Sequence, residues 1–454
     1  MSDWRRYPYT ADWGDSRHFT FPACDGYRQE RSVSSYFLSG FLQGVRSDRR
    51  YAFLAIFADM RVLWRTVRAS FFTFSLFDCD SGHYGTCTDY DFPRPPLIRT
   101  RHKMQLTAGR LGLTYSGTRA SGRWESLMAS AEAFRPFAWE VELRGTDHHG
   151  APMHLELVLE ANRPPAPAGG RDLGGEMTFL GDHMYSYLQS GMVMRGRLDW
   201  GDGGEEVEGD VGWVHRQWSD RFRQRQDWRS RRYRSELRMM QLDNGWDLSC
   251  FHQYLRPRDN ALVPWTGVSA QGPAPDYRLQ ATHRVELTAP ELVRSPGAVR
   301  SRNMLSEGPR YFPRRFDLRV PDWQCRLESE PLVPLPAHDL PIEVWAGPVV
   351  VRGEMFGQTV LGLGFDQRSH PLVRDFELAQ ALQQAFDGCA EIEPELRRRL
   401  SYRSQEIEAL CLARDRRAAA ACCREHIEPW LGKLPASCQE RLTQLATDLR
   451  SLLA

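Results

Sequence analysis

The chain has no Cys-x-x-Cys pair, almost no net charge, and no apolar run of the roughly 18 residues that a membrane-crossing helix needs. Each absence removes a class of function. Ten cysteines are scattered along 454 residues, and five of them (Cys389, Cys411, Cys422, Cys423 and Cys438) lie after residue 388. Without ligand spacing they do not read as a zinc centre. Without an apolar leader in the polar stretch 1–15, they read as reduced thiols of a cytoplasmic protein. A formal charge of +1 gives no reason to expect nucleic acid or an anionic membrane as the main partner. No glycine-rich phosphate loop leads from a strand into a helix, and no Gly-x-Ser-x-Gly elbow is present. Nucleotide cofactors and ordinary α/β-hydrolase chemistry are therefore disfavoured. The expectation is a protein with no cofactor and no metal.

Aromatic residues are plentiful: 14 Trp, 15 Tyr and 22 Phe, enough rigid apolar surface to fill cores or line a ligand cavity. From about 32 to 370, short segments rich in Val, Tyr, Phe, Leu and Trp alternate with Gly, Asp, Asn and Pro turns. Examples are 35–42, 51–58, 70–76, 139–143, 154–159, 191–198, 235–242, 246–254 and 349–355. Asp243-Asn-Gly245 between two such segments is a hairpin signal. This spacing predicts an all-β chain of antiparallel barrels or sandwiches. The stretch Arg163-Pro-Pro-Ala-Pro-Ala-Gly-Gly170 reads as an irregular crossing. After Pro371 the period becomes helical. Phe376, Ala379, Leu382 and Phe386 recur at three to four residues, as do Leu442, Leu445, Leu449 and Leu452, and Pro394, Pro429 and Pro435 punctuate the segment. The expected organisation is an arm over 1–30, β domains over 31–200 and 201–370 with the boundary near 199–204, and a helical tail over 371–454. The tail must bury its stripe, over a barrel mouth or in a dimer contact.

Several segments then resemble, in order, the carotenoid 1,2-hydratase (hydroxyneurosporene synthase) family. Ser34-Ser-Tyr-Phe-Leu-Ser-Gly-Phe-Leu42 and Tyr51-Ala-Phe-Leu-Ala-Ile-Phe57 resemble its opening strands, and Phe71-Phe-Thr-Phe-Ser-Leu-Phe-Asp78 its next one. Leu155-Glu-Leu-Val-Leu-Glu-Ala-Asn-Arg-Pro-Pro165, Tyr185-Ser-Tyr187 and Gly196-Arg-Leu198 follow. Val207-Glu-Gly-Asp-Val-Gly-Trp-Val-His-Arg-Gln-Trp218 resembles the family's Gly-x-x-Trp-x-Asp/His-x-Glu/Gln-Trp signature. The resemblance covers about 330 residues. It implies two consecutive lipocalin-like barrels and a reaction on an elongated apolar molecule. The chain departs from the family at Ser34 and Ser35, at Ala346, where a carboxylate is usual, and at 365–370.

Adding water to an alkene or cyclising a polyene begins with protonation of carbon, which needs an acid in an apolar pocket and aromatic faces for the cation. In an extended strand Trp213, His215 and Gln217 share a face, which makes His215 the candidate proton donor and Trp218 a cavity wall at the strand's end. A hydrogen-bonded structural histidine is the competing reading. Glu343, beside Trp345, is the second candidate acid, because burial against an indole raises a carboxyl's pKa. Tyr185, Tyr187, His252, Tyr254 and Trp345 complete the expected substrate wall. Asp147-His-His149 with His154 reads as a polar hairpin tip before it reads as a metal site. The arginine-rich stretch 221–238 reads as a solvated loop rather than a nucleic-acid patch. The partner expected is a hydrophobic small molecule, reached through peripheral membrane contact if it is stored in lipid. The function expected is a cofactor-independent hydratase, cyclase or isomerase acting on a polyene, terpenoid or polyketide-like substrate. The alternative is a non-catalytic carrier with the same cavity.

Overall fold

The computed structural model describes residues 3–13, 19–28, 31–62, 67–93, 100–130, 133–179, 182–201, 203–219, 233–255, 266–294, 311–334, 337–338, 340, 344–369 and 374–454. Two large antiparallel sheets, of 15 and 10 strands, curl into consecutive lipocalin-like barrels, followed by helices. The first opens as a meander of Val33–Gly44, Arg50–Val62, Val67–Asp78 and His83–Asp91. These strands read as near-continuous apolar runs because both faces are buried. Phe53, Phe57, Phe72, Phe74 and Leu76 fill the first barrel, while Phe41, Leu54, Ile56, Phe71 and Phe77 enter a second core shared with the other sheet. Alternation sends successive side chains to opposite faces, so one segment serves two cores.

The change of sheet falls later than the composition suggests. The glycine-rich turn at 201–204 joins Met192–Trp200 to Gly203–Gly209 within the first sheet. Gly212–Ser219 also stays there, inserted between Val33–Gly44 and Asp182–Ser190. The second sheet begins at Tyr233–Leu242, so 199–204 is a hairpin and not a boundary. The hairpin at Asp243-Asn-Gly245 forms as expected: Gly245 takes φ 83°, its N–H donates to the Leu242 carbonyl, and Tyr233–Leu242 pairs with Asp247–Leu255. The tip Asp147-His-His149 is likewise a turn, in which Asp147 Oδ1 accepts from the His149 and Ala151 N–H groups.

The N-terminal arm is part of the first barrel. Tyr9–Thr10 pairs with Thr20–Phe21, and Trp13, Phe19, Phe21, Cys24 and Asp25 are buried in its core. All ten cysteines are buried, none in a disulfide.

The tail comprises Asp375–Asp387, Pro394–Leu412, Arg416–Cys422, a π-helical turn Cys423–Ile427, Glu428–Leu431 and Ala436–Leu453. Phe376, Ala379, Leu382, Phe386, Leu442, Leu445 and Leu449 form its own core, joined by Leu292 and Tyr311 of the second sheet. Asp448 accepts a hydrogen bond from the Tyr311 hydroxyl (2.7 Å) and pairs with Arg294 (2.8 Å). The stripe therefore docks on Glu286–Arg294, the last strand of the second sheet, where it covers an edge that would otherwise present unpaired backbone. No helix among the described residues is long and apolar enough to cross a membrane.

Candidate active site

The expected site residues fall into three compartments. Tyr185, Tyr187 and Trp218 point into the first barrel, where Tyr185 stacks on Trp218 at 5.6 Å and Phe19 of the arm closes over both. Trp218 is thus on the opposite face from Trp213 and does not close over the seam, because it is an odd number of residues away on one strand. The first barrel is also charged inside. The Arg216 guanidinium lies 3.8 Å from the Tyr36 ring and donates to Ser34 Oγ (2.8 Å), the Tyr36 hydroxyl (3.1 Å) and the carbonyls of Gly26, Ser35 and Gln217. Ser34, where the resembled family is acidic or aromatic, is an acceptor for this arginine. Asp25 accepts from the Tyr187 hydroxyl; burial pushes its carboxyl up to about 7 against the pull of Arg216 and Arg28.

Trp213 and His215 face the second barrel, as does Gln217 by alternation. His215 stacks on Phe37 (5.1 Å) and meets Phe251 of the other sheet edge-on (5.8 Å), and its Nε2 bonds to Ser186 Oγ at 2.9 Å. Burial and the neighbouring Arg216 hold the ring down at about 3, so it is a neutral imidazole at pH 7 with no imidazolium proton to give.

His252 and Trp345 point into the second barrel. Glu343 lies outside the described residues. Tyr254 is on the strand Asp247–Leu255, with its side chain outside the described set. Of the arginine-rich stretch, 220–232 lies outside the described residues. Its far end does not fit a solvated loop, since Arg238 is buried beside Glu236 on a strand.

The seam holds a carboxylate that sequence reasoning missed. Asp247 opens its strand directly after the Asn-Gly hairpin, and the Pro-rich crossing lies against it. Arg163 reaches across to pair with Asp247 at 2.9 Å and donates to the Gly245 carbonyl at 2.8 Å. Ser190 Oγ donates to the same carboxylate. Burial is the main influence and lifts the Asp247 carboxyl to about 6, with Arg163, Ser190 and Gln241 opposing it. A cavity of about 30 Å³ lies here, between Trp213, Leu188 and Ser190 of one barrel and Asp247, Ser249, Ser269 and Gln271 of the other. That is room for at least one water molecule, with enough polar partners to hold it. It is not the roomy aromatic-lined cavity that the sequence suggests, because apolar side chains pack both sides of the seam. Trp213 Nε1, His215 Nδ1 and Gln271 Oε1 are among the buried polar atoms that face this seam with no hydrogen-bond partner among the described residues. Bound water or a ligand is one way to satisfy such atoms.

A third histidine pins the barrels together. His338 Nδ1 meets Ser75 Oγ (3.0 Å) and Thr86 Oγ1 (3.2 Å) of the first barrel, while its Nε2 donates to the Ala346 carbonyl (2.7 Å). Ala346 thus faces the seam. Burial lowers His338 from 6.5 to about 4. The unfolded chain takes up that proton first, so the stability is complete above pH 6.5 and drains away as pH falls towards 4. The shift is worth about 3 kcal/mol. His338→Gln, which cannot take up a proton, will show a smaller loss of thermal stability between pH 7.5 and 4.5 than the parent. Equal losses in both would show that His338 does not drive the acid response.

Among the described residues no metal grouping lies at the seam. The described residues bring Glu142, His154 and Glu156 together on the outer face of the first barrel, where Arg144 already occupies Glu142 at 2.6 Å.

No family model matches the sequence, and no curated protein is detectably similar to it. The fold is shared with solved structures at low identity. A structure from Nitrosomonas europaea assigned as AttH covers 79% of this chain and 99% of its own, with a TM-score of 0.57 and 14% identity. Kievitone hydratase from Nectria haematococca covers 80% of this chain and 98% of its own, with a TM-score of 0.53 and 12% identity.

Proposed function

We propose that the chain is a cofactor-independent enzyme that protonates an unsaturated, hydrophobic small molecule at the seam between its barrels, in a hydration or a cyclisation. The observation that carries this is Asp247: a buried carboxyl held near 6, beside the Trp213 indole, at the edge of a water-sized cavity. In its acid form Asp247 delivers a proton to an alkene carbon. The π face of Trp213 stabilises the resulting cation, and a water in the cavity adds to it. That water returns its extra proton to the Asp247 carboxylate, which restores the acid. In a cyclisation an internal alkene replaces the water, and a carbon-bound proton goes back to Asp247. His215 and Trp213 bind through Nδ1 and Nε1. Proton donation, expected of His215, is assigned to Asp247 instead.

The resemblance to carotenoid 1,2-hydratases and the fold shared with a kievitone hydratase support a hydratase-type reaction, with an acyclic polyene as the substrate class to try first. Because the cavity is small, a substrate larger than water would enter by the two barrels parting beside Trp213.

The deciding experiment is native mass spectrometry of the purified chain, with any co-purifying molecule incubated in H₂¹⁸O and in D₂O. Uptake of ¹⁸O supports hydration, and deuterium without ¹⁸O supports cyclisation. A ligand recovered without either label is the result that makes the protein a carrier. With an active substrate, turnover at saturation will be flat below pH 5 and fall about tenfold per unit above pH 6, as Asp247 loses its proton. A rate that rises through this range would remove Asp247 as the acid.

A further inference from the structure

The polar side of the seam cavity is set by strand register. Asp247–Leu255 pairs with Gly267–Gln271, with Asp247 opposite Gln271 and Ser249 opposite Ser269. Directly opposed residues share a face, with Cβ atoms about 4.5–5.5 Å apart. Alternation turns Cys250 and Val268 the other way, into the core of the second barrel. The four polar side chains therefore stand as one patch on the cavity wall, and Leu188, Pro167 and Trp213 supply apolar surface to the same space.

Gln271 is 3% exposed, and its amide is fixed in orientation. Nε2 donates to the Pro164 carbonyl at 3.0 Å. A carbonyl only accepts, so the amide nitrogen is the atom that faces Pro164, and Oε1 is left free to face the cavity. Oε1 has no hydrogen-bond partner among the described residues, and neither has Trp213 Nε1. The first atom is an acceptor and the second a donor, yet they are not bonded to each other. A small group that both donates and accepts completes both, and leaving them unpaired is costly. An alkene does neither. A water does both, and the cavity of about 30 Å³ has room for it.

We propose that Gln271, with the Trp213 N–H, seats the attacking water beside Asp247, so that the seam is built for hydration rather than cyclisation. The inference rests on the reading of Asp247 as the acid. Asp247 gives its proton to one alkene carbon: its O–H bond breaks, a C–H bond forms, and the neighbouring carbon becomes the cation. The seated water donates one O–H to Gln271 Oε1 and accepts from Trp213 Nε1, which leaves one lone pair and one O–H unused. The lone pair forms the C–O bond. The O–H then releases its proton to the Asp247 carboxylate, which restores the acid and leaves a neutral alcohol. Gln271 takes no proton; it touches the reacting water and holds its lone pair in position.

A crystal structure of the unaltered chain, at a resolution that shows ordered solvent, will hold a water bonded to Gln271 Oε1 and Trp213 Nε1. A dry cavity, or a water bonded to neither atom, would overturn the proposal whatever the substrate proves to be. Turnover of the co-purifying molecule in D₂¹⁸O tests the chemistry. The parent's product will carry one ¹⁸O for each deuterium placed on carbon. Gln271→Met keeps the length of the side chain and removes the acceptor, and will lower that ratio about tenfold. Deuterium will appear instead in recovered alkene or in a ring-closed product, since Asp247 still delivers it. Gln189→Met is the control for a loosened crossing, because Gln189 Nε2 donates to the Arg163 carbonyl at 2.9 Å without lining the cavity. Its ratio will match the parent's. An unchanged ratio in Gln271→Met, or an equal fall in Gln189→Met, would sink the water-seating role alone. Deuterium uptake that survives Asp247→Asn, or that is missing from the parent, would sink the acid reading and this inference with it.

Discussion

Asp247→Asn will lower turnover of the co-purifying substrate by roughly 100- to 10,000-fold, the usual contribution of a positioned general acid. Asparagine keeps the size of the side chain and can still accept from Ser190 and Arg163, so affinity for the substrate will change little. The fall will appear in kcat rather than KM, because the proton is needed only once the substrate is seated. The pH signature is a second readout. Since burial raises the Asp247 carboxyl, the fold favours its protonated form, and its burial costs stability as pH rises from about 4 to 6. That cost amounts to about 3 kcal/mol. The asparagine variant loses this slope. A variant with parental kcat and an unchanged pH–rate profile would mean that the proton comes from elsewhere, and the assignment would fall.

Arg216→Met will be the most damaging single change to the first barrel. Methionine fills much of the volume but replaces none of the donors. Ser34, Tyr36 and three backbone carbonyls lose a hydrogen bond, and Asp25 loses the cation that most opposes its burial. Breaking a buried charged contact of this kind costs about 3–5 kcal/mol. For a barrel of this size that lowers the thermal midpoint by roughly 6–20 °C. Asp25 softens the loss by keeping its proton, so the variant will be more stable near pH 5 than near pH 8. A midpoint within about 2 °C of the parent would show that the guanidinium contributes no net stability.

The sequence is informative where local chemistry decides the structure. Alternation on Gly212–Ser219 puts Trp213 and His215 on one face, and the Asn-Gly dipeptide marks its hairpin. Both follow from backbone geometry over a few residues. Asp247 is invisible for the opposite reason. It sits two residues after Gly245, where an aspartate reads as turn chemistry, and its burial depends on Arg163, 84 positions earlier (247 − 163) in a stretch that reads as an irregular crossing. Arg216 and Arg238 are hidden in the same way, one among the signature aromatics and the other at the end of an arginine run. Charge in a sequence suggests solvent, and only the closed barrel shows which charges are enclosed. The sheet boundary fails on similar grounds, since a glycine-rich tip looks the same whether it joins two strands or two domains.

Gly212–Ser219 also has a consequence for how the molecule is made. It is the last strand of the first sheet to be synthesised, yet it inserts beside the first long one, with Trp213 opposite Ser39, a separation of 174 residues (213 − 39). During translation the first barrel therefore cannot close until residue 219 has left the ribosome. Until then Val33–Gly44 waits with one side bare, a long-range pairing of the kind that folds slowly and tempts aggregation. The closing strand also carries Trp213 and His215, so the surface that receives Asp247 exists only once the first barrel is complete. Assembly of the seam is thus ordered in time: the first barrel closes, and the second docks onto it.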